Sequence, residues 1–212
     1  MTRTVGPWAV EGVVGRGISV RYGNVVALDG VDLVAEAGTV TAVTGHSGAG
    51  KSSLLWALAG LLPHGVSGEM DVGPTSLVAQ GSALSSILTA RESIALPLLD
   101  LGVPGTEALA AAERALAEVG LEESGSHLSE ELSGGQQQRV AVARGIARTR
   151  ALLARGPAVL LADEPTSELD HDNRERVVAL LRGLADDGAC VVVTTHDPEV
   201  ADAADAVVAL DR

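Results

Sequence analysis

Phenylalanine is absent from this chain, and only Trp8, Tyr22 and Trp56 carry large aromatic rings. A core built without them must rest on Val, Leu, Ile and Ala, and any aromatic platform has few candidates. Basic residues are scarce too: 15 Lys and Arg stand against 28 Asp and Glu, the formal charge is −13, and Lys51 is the only lysine. That balance argues against a broad nucleic-acid surface, which is made of clustered Lys and Arg, so no nucleic-acid partner is expected. The single cysteine, Cys190 in the run ACVVVTT, excludes an intramolecular disulfide and reads as an inert strand thiol in a reducing compartment. Long hydrophobic runs are missing as well. SSLLWALAGLLPHGVSG is uncharged but is broken by Pro63 and glycines well short of the ~20 apolar residues of a membrane span. The start, MTRTVGPWAVEG, lacks the apolar stretch of a secretory signal, so a soluble, non-exported chain is expected.

What is present suffices for a folded domain. The 212 residues are 46% hydrophobic and 20% charged, with no low-complexity run and no internal repeat, which allows one large domain or one domain with an insert. Residues 17–34 alternate apolar and polar positions around Gly-Asn and Asp-Gly pairs and predict short antiparallel strands. TVTAVT (39–44) predicts a buried strand, followed by a glycine-rich turn and an apolar helix over about 50–62 that stops at Pro63. TSLVA (75–79) predicts another strand. From 81 to about 131 the pattern turns helical, with Thr89 and Glu92 forming a capping box, Thr106 capping the next helix and Gly120 stopping it. Helices are predicted over 134–153 and 171–186, and buried strands over 158–162 and 189–194. Strands alternating with helices predict an α/β fold with a mainly parallel sheet, interrupted by a helical insert over about 81–150. GVVGRG (12–17) reads as a turn.

Chemistry concentrates in three places. GHSGAGKS, Gly45 to Ser52, fits the phosphate-loop pattern and lies between a buried strand and a helix start. Its loop residues, Gly45, His46, Ser47, Gly48, Ala49 and Gly50, offer backbone N–H groups to phosphates; Lys51 reaches the terminal ones, Ser52 is placed for Mg²⁺, and Ser53 follows. VLLADEP ends a second strand in two acids, Asp163 to hold Mg²⁺ through water and Glu164 to take a proton from the attacking water. The third place is LSGGQQQR (132–139). Against roughly four negative charges on a triphosphate, Mg²⁺ supplies two, Lys51 one and the helix after the loop about half. A second helix N-terminus at Ser133, Gly134, Gly135 and Gln136 adds about another half. Since that helix belongs to the insert, the simplest geometry has it meeting the nucleotide of another copy.

LSGGQQQR after a phosphate loop and before an acidic strand end resembles the signature of the ABC (ATP-binding cassette) ATPases, and the resemblance runs over nearly the whole chain. It implies a P-loop NTPase of ABC type in a single domain, 1–212. Residues 1–80 and 151–212 then form an antiparallel β subdomain with the ATP-binding core, and about 81–150 the helical signature subdomain. It implies ATP and Mg²⁺ as ligands and a homodimer, or a heterodimer with a similar ATPase, closing on two nucleotides. It further implies an integral-membrane permease as partner, and a cytoplasmic site on the inner face of the cell membrane. Residue by residue, Tyr22 resembles the aromatic that stacks on adenine, with an ordinary exposed tyrosine as the alternative. Gln80 resembles the glutamine that contacts Mg²⁺ and water, and His196 in TTHD the histidine that contacts the terminal phosphate and positions the catalytic carboxylate. Asp170 in SELD resembles the residue crossing to the opposite subunit, and is equally suited to cap a helix. ESIALPLL and VVTTHDPEVADAAD look most like the ATPases of lipoprotein release and macrolide export. The 28 residues between Lys51 and Gln80 are fewer than in relatives, which carry a further strand and short helix there, so a trimmed sheet edge is expected. Rivals from other classes are a non-transport ABC ATPase and a regulatory partner of a membrane complex, with a P-loop kinase more distant. His64, His127 and His171 read as solvent-facing.

Overall fold

The computed structural model describes residues 11–81 and 83–210. Two sheets form the frame. Strands β1 (Val13–Tyr22), β2 (Val25–Ala35) and β4 (Val66–Val72) make an antiparallel sheet in the order β2-β1-β4. Strands β3 (Val40–Thr44), β5 (Thr75–Val78), β6 (Val159–Asp163), β7 (Cys190–Thr194) and β8 (Ala206–Ala209) make a parallel sheet in the order β5-β6-β7-β3-β8. Its central strands β6 and β7 are buried at every residue, the condition that makes their sequences continuous apolar runs and not alternating ones. Leu160 and Ala162 face one side with Val191 and Val193, while Val159 and Leu161 face the other with Cys190 and Val192.

Helices cover both sides. Against one face pack α4 (Gly134–Leu153) through Val142 and Ile146, and α5 (His171–Asp186) through Val177, Leu181 and Leu184. Against the other lie α1 (Lys51–Leu58) and the inner face of the antiparallel sheet. Helices α2 (Ala90–Asp100) and α3 (Gly105–Glu118) form their own cluster with Val140, Ala143 and Ala147 of α4. Helix α4 therefore belongs to two cores, one face on the sheet and the other on the helical block. Gly145 makes the close approach possible: a Cβ there would stand 2.5 Å from Val78 Cγ2. Short helix α6 (Pro198–Asp202), started by Asp197 as N-cap with Pro198 behind it and not predicted above, precedes β8. No described helix is long and apolar enough to cross a membrane.

Several local expectations are corrected. Of the two turn pairs, only Gly23-Asn24 turns a hairpin; Asp29-Gly30 lies inside β2, where Gly30 takes φ 67° and donates its N–H to Ser19 Oγ at an irregular stretch of the ladder. GVVGRG is mostly strand β1 and not a turn. Helix α1 ends at Leu58, before Pro63, because Gly60 at φ 70° closes a Schellman motif: Gly60 N–H donates to Ala57 O at 3.0 Å and Leu61 N–H to Trp56 O at 2.9 Å. Thr106 does not cap α3, which begins two residues earlier behind Pro104, whose carbonyl accepts from Ala108 N–H at 2.9 Å. The interval before Gln80 still holds a strand, β4, which the reading of a trimmed edge missed. Its residues are largely exposed and it pairs with β1, so it carries little apolar signal. The Thr89–Glu92 capping box, the stop at Gly120 with φ 68°, and the buried Cys190 are as expected. His64, His127 and His171 are exposed.

Candidate functional site

Four neighbouring parallel strands deliver their carboxyl ends to one edge of the sheet, where ligands of open α/β folds collect. β3 runs into the glycine loop, β5 into Gln80, β6 into Asp163-Glu164, and β7 into Thr194, Thr195 and His196. A cavity of about 500 Å³ opens there, lined by Ser47, Gly48, Gly50, Lys51, Ser52 and Ser53 from the loop side and by Gln80, Asp163, Glu164 and His196 from the strand ends, with Ala27 beside them.

The loop owes its shape to glycine. Gly50 sits at φ 92°, and a Cβ there would lie 2.4 Å from Ala27 O, so both conformation and space forbid a side chain. Gly50 is also the N-cap of α1 and no side chain caps that helix, which leaves the N–H groups of its first turn for an anion. Lys51 is 8% exposed, donates to the carbonyls of Gly45 at 2.8 Å and His46 at 3.3 Å, and stands 3.6 Å from Glu164 Oε1. His46 turns its ring onto the Ser47 carbonyl and, with Ala49, lines a separate hollow toward β2 and β8. Tyr22 lies outside the cavity lining, 44% exposed, with its hydroxyl donating to Ser53 Oγ at 3.2 Å.

The acidic pair is held by its neighbours on β7. Asp163 and Thr194 face each other in the ladder, and Thr194 Oγ1 donates to Asp163 Oδ1 at 2.6 Å while accepting from Glu164 N–H at 3.0 Å. Asp163 is fully buried, and its other oxygen, Oδ2, has no hydrogen-bond partner among the described residues. A buried carboxylate oxygen left unpaired is costly, and a cation is the partner that offsets it. With the Ser52 hydroxyl and the Gln80 amide on the same cavity, this hard-oxygen donor set fits Mg²⁺.

Glu164 is 7% exposed and takes φ 49°, a left-handed backbone that costs a non-glycine residue roughly 1–3 kcal/mol. Contacts on both sides hold it: its N–H meets Thr194, and its carbonyl accepts from Gln138 Nε2 at 3.2 Å. The twist aims the carboxylate between two cationic or protic groups, Oε1 toward Lys51 and Oε2 at 2.9 Å from His196 Nδ1. A carboxylate only accepts, so a neutral His196 carries its proton on Nδ1. The His196 side chain is itself 68% exposed. Thr194 and Gln138 were missed as site residues from sequence; a threonine ending a buried Val run two places before the histidine was the available signal for the first.

The signature segment lies apart from this cavity. Ser133 caps α4, accepting from Gln136 N–H at 3.3 Å, while Gln136 Oε1 accepts from Ser133 N–H at 2.9 Å. Gln137 bonds back to Leu132 O, Gln138 reaches Glu164, and Arg139 donates to the carbonyls of Val119 and Gly120 at the end of α3. Gly134 and Gly135 lie against the SELD loop. Asp170 caps α5 by accepting from Asn173, and those bonds hold its carboxyl below the ordinary range. None of Ser133, Gly134, Gly135, Gln136 or Asp170 lines the cavity of its own chain.

The match to known families decides the assignment: the family described as "ABC transporter" matches residues 28–167, from within β2 through the phosphate loop and signature to the acidic strand end. The chain belongs to the ABC transporter family. As such it is an ATP-binding, ATP-hydrolysing cassette of a transporter. It is 38% identical over 208 residues to the lipoprotein-releasing system ATP-binding protein LolD of Chromohalobacter salexigens, covering 89% of this chain and 84% of that one. It is 36% identical over 203 residues to the macrolide export ATP-binding/permease protein MacB of Escherichia coli K12, covering 87% of this chain but only 30% of that longer protein. Among solved structures, a dimeric bacterial ABC transporter cassette, MJ0796, superposes with a TM-score of 0.84 at 31% identity over 94% of both chains. A post-hydrolysis dimer of the same cassette, bound to ADP and Pi, superposes at 0.82.

Proposed function

We propose that this ATPase works as a dimer closing on two ATP molecules and drives a separate integral-membrane permease from the inner face of the cell membrane. One observation carries the dimer. The cavity at the strand ends gathers the candidate phosphate and metal ligands, yet the signature helix N-terminus, with its glycine N–H groups, lies outside that lining. A second copy supplies that helix end, and Asp170 reaches across at the same seam. The dimeric cassettes among the solved relatives support this reading. The names of LolD and MacB support a membrane partner.

Within the site, the loop N–H groups and Lys51 would bind the phosphates, and Tyr22, tethered to Ser53, would stack on the base. Mg²⁺, when bound, neutralises charge on the phosphate oxygens, and Ser52, Asp163 and Gln80 would hold it. Glu164 accepts the proton of the attacking water, aimed by its left-handed backbone. His196 keeps that carboxylate in place. Should the same ring also donate to the terminal phosphate, it must be doubly protonated, because its Nδ1 proton is already committed to Glu164. Size measurement tests the dimer directly: Glu164→Gln with ATP should run as a dimer, and adding Ser133→Arg should return it to monomer with ATP still bound. A hydrolysis-dead chain that stays monomeric at high concentration in ATP, with no partner chain completing the pocket, would falsify the reading.

A further inference from the structure

The SELD loop places a carboxylate where the proposed dimer needs a phosphate. A Cβ built on Gly134 would stand 2.5 Å from Glu168 Oε2, and one on Gly135 would stand 3.0 Å from Glu168 O. The loop carrying Glu168 is fixed on both sides. Ser167 N–H donates to Glu164 O, Leu169 N–H donates to Thr166 O and buries its side chain, and Asp170 caps α5. Glu168 itself is exposed, and no described Lys, Arg or His side chain pairs with it. The α4 N-terminus is thus the positive group against which its carboxylate lies among the described residues. The missing side chain of Gly134 thus makes room for a carboxylate as well as baring backbone.

We infer that Glu168 sets how strongly this cassette dimerises on ATP, because its carboxylate must be displaced or tolerated when the second copy's terminal phosphate reaches the α4 N-terminus. The inference rests on the dimer proposed above. A helix N-terminus offers about half a positive charge. With a full negative charge beside it, the approaching phosphate meets a net repulsion, so ATP must bring enough favourable contact to move Glu168 aside. Glu168 is a positioning residue in this scheme: it touches the helix end that meets the phosphate and takes no part in proton transfer. The closed dimer has two such seams by symmetry, so any effect at one is applied twice.

The test uses the full chain in the Glu164→Gln background with MgATP, and measures the dimer dissociation constant by sedimentation at low and high salt. Removing one unit charge acting across about 4 Å of water is worth roughly 5-fold at each seam, hence about 25-fold for the dimer. Glu168→Gln and Glu168→Ala should both tighten dimerisation by about that factor at low salt, Glu168→Asp should stay near the parent, and the gap should shrink in 0.5 M salt. ATP binding by the single chain, titrated below the dimerisation concentration, should not change. Equal or weaker dimerisation in both neutral variants overturns the inference, as does a tightening that salt leaves untouched, which would be steric. Ser133→Arg in the same background separates the two readings. If it dimerises normally, the proposed dimer itself fails; if it is monomeric while Glu168→Gln matches the parent, only the role of Glu168 falls.

Discussion

The pocket at the strand ends and the N-terminus of α4 are built by opposite means. In the pocket Lys51, Asp163 and Glu164 are buried and held by neighbours: Thr194 fixes Asp163 and Glu164, Gln138 fixes the Glu164 carbonyl, and Glu164 ties Lys51 to the exposed His196. At the α4 N-terminus the capping bonds are internal to one turn, Ser133 with Gln136, and Gly134 is exposed beside Glu168. A buried network is preorganised, so it resists change and its parts are costly to remove. An exposed helix end is cheap to build and easy to alter, and its contribution depends on what arrives.

The contrast can be broken first at Glu164. Glu164→Gln keeps the shape and one acceptor oxygen but not the base, and should lower kcat for ATP hydrolysis by roughly 10²–10⁴-fold with little change in ATP affinity, read by phosphate release and nucleotide titration. A variant hydrolysing at the parent rate would remove its role. Thr194→Val comes next: it leaves Asp163 Oδ1 and the Glu164 N–H without their hydroxyl, and should cost about 1–3 kcal/mol in urea unfolding while slowing hydrolysis. A glycine pair then sharpens the comparison. Gly145→Ala drives a Cβ into Val78 in the core, and should cost about 1–2 kcal/mol even after the gain in helix propensity. Gly134→Ala meets only the end of the flexible Glu168 side chain, and should stay within about 0.5 kcal/mol. Equal costs at the two sites would contradict the division into rigid and adaptable ends.

The smallest effects are in titration. Burial pushes the Cys190 thiol up to about 12, so alkylation at pH 8 should mark unfolded chains only, and labelling should rise in step with denaturation. Bonds from Arg182 and from Val40 N–H hold the Asp205 carboxyl below its ordinary value of 3.8. A depressed carboxylate contributes stability above its unfolded value and loses it as pH falls through the folded one. Asp205→Asn should therefore flatten the acid limb of the stability curve below about pH 4, slightly, since the group is exposed.

Local interactions were legible where they stay local. The glycine loop, the Thr89 capping box, the α4 cap and the all-apolar strands are set by neighbours within a few residues, and the structure has them as read. The failures share a cause. Asp29-Gly30 looked like a turn because the bulge it forms depends on the facing strand. Strand β4 was missed because pairing with β1, and not its own pattern, makes it a strand.

The site divides the same way. By itself the sequence determined the glycine loop and the carboxylates that end the acidic strand, because a loop of glycines closing on a helix start, or a carboxylate at a strand end, needs only a short stretch of chain. Only the tertiary structure decided that Thr194 and Gln138 hold Asp163 and Glu164, and that Glu168 lies on Gly134. Those pairs meet because β6 lies beside β7 and α4 crosses over the sheet, and strand order and helix placement are settled by how the whole apolar surface is buried at once.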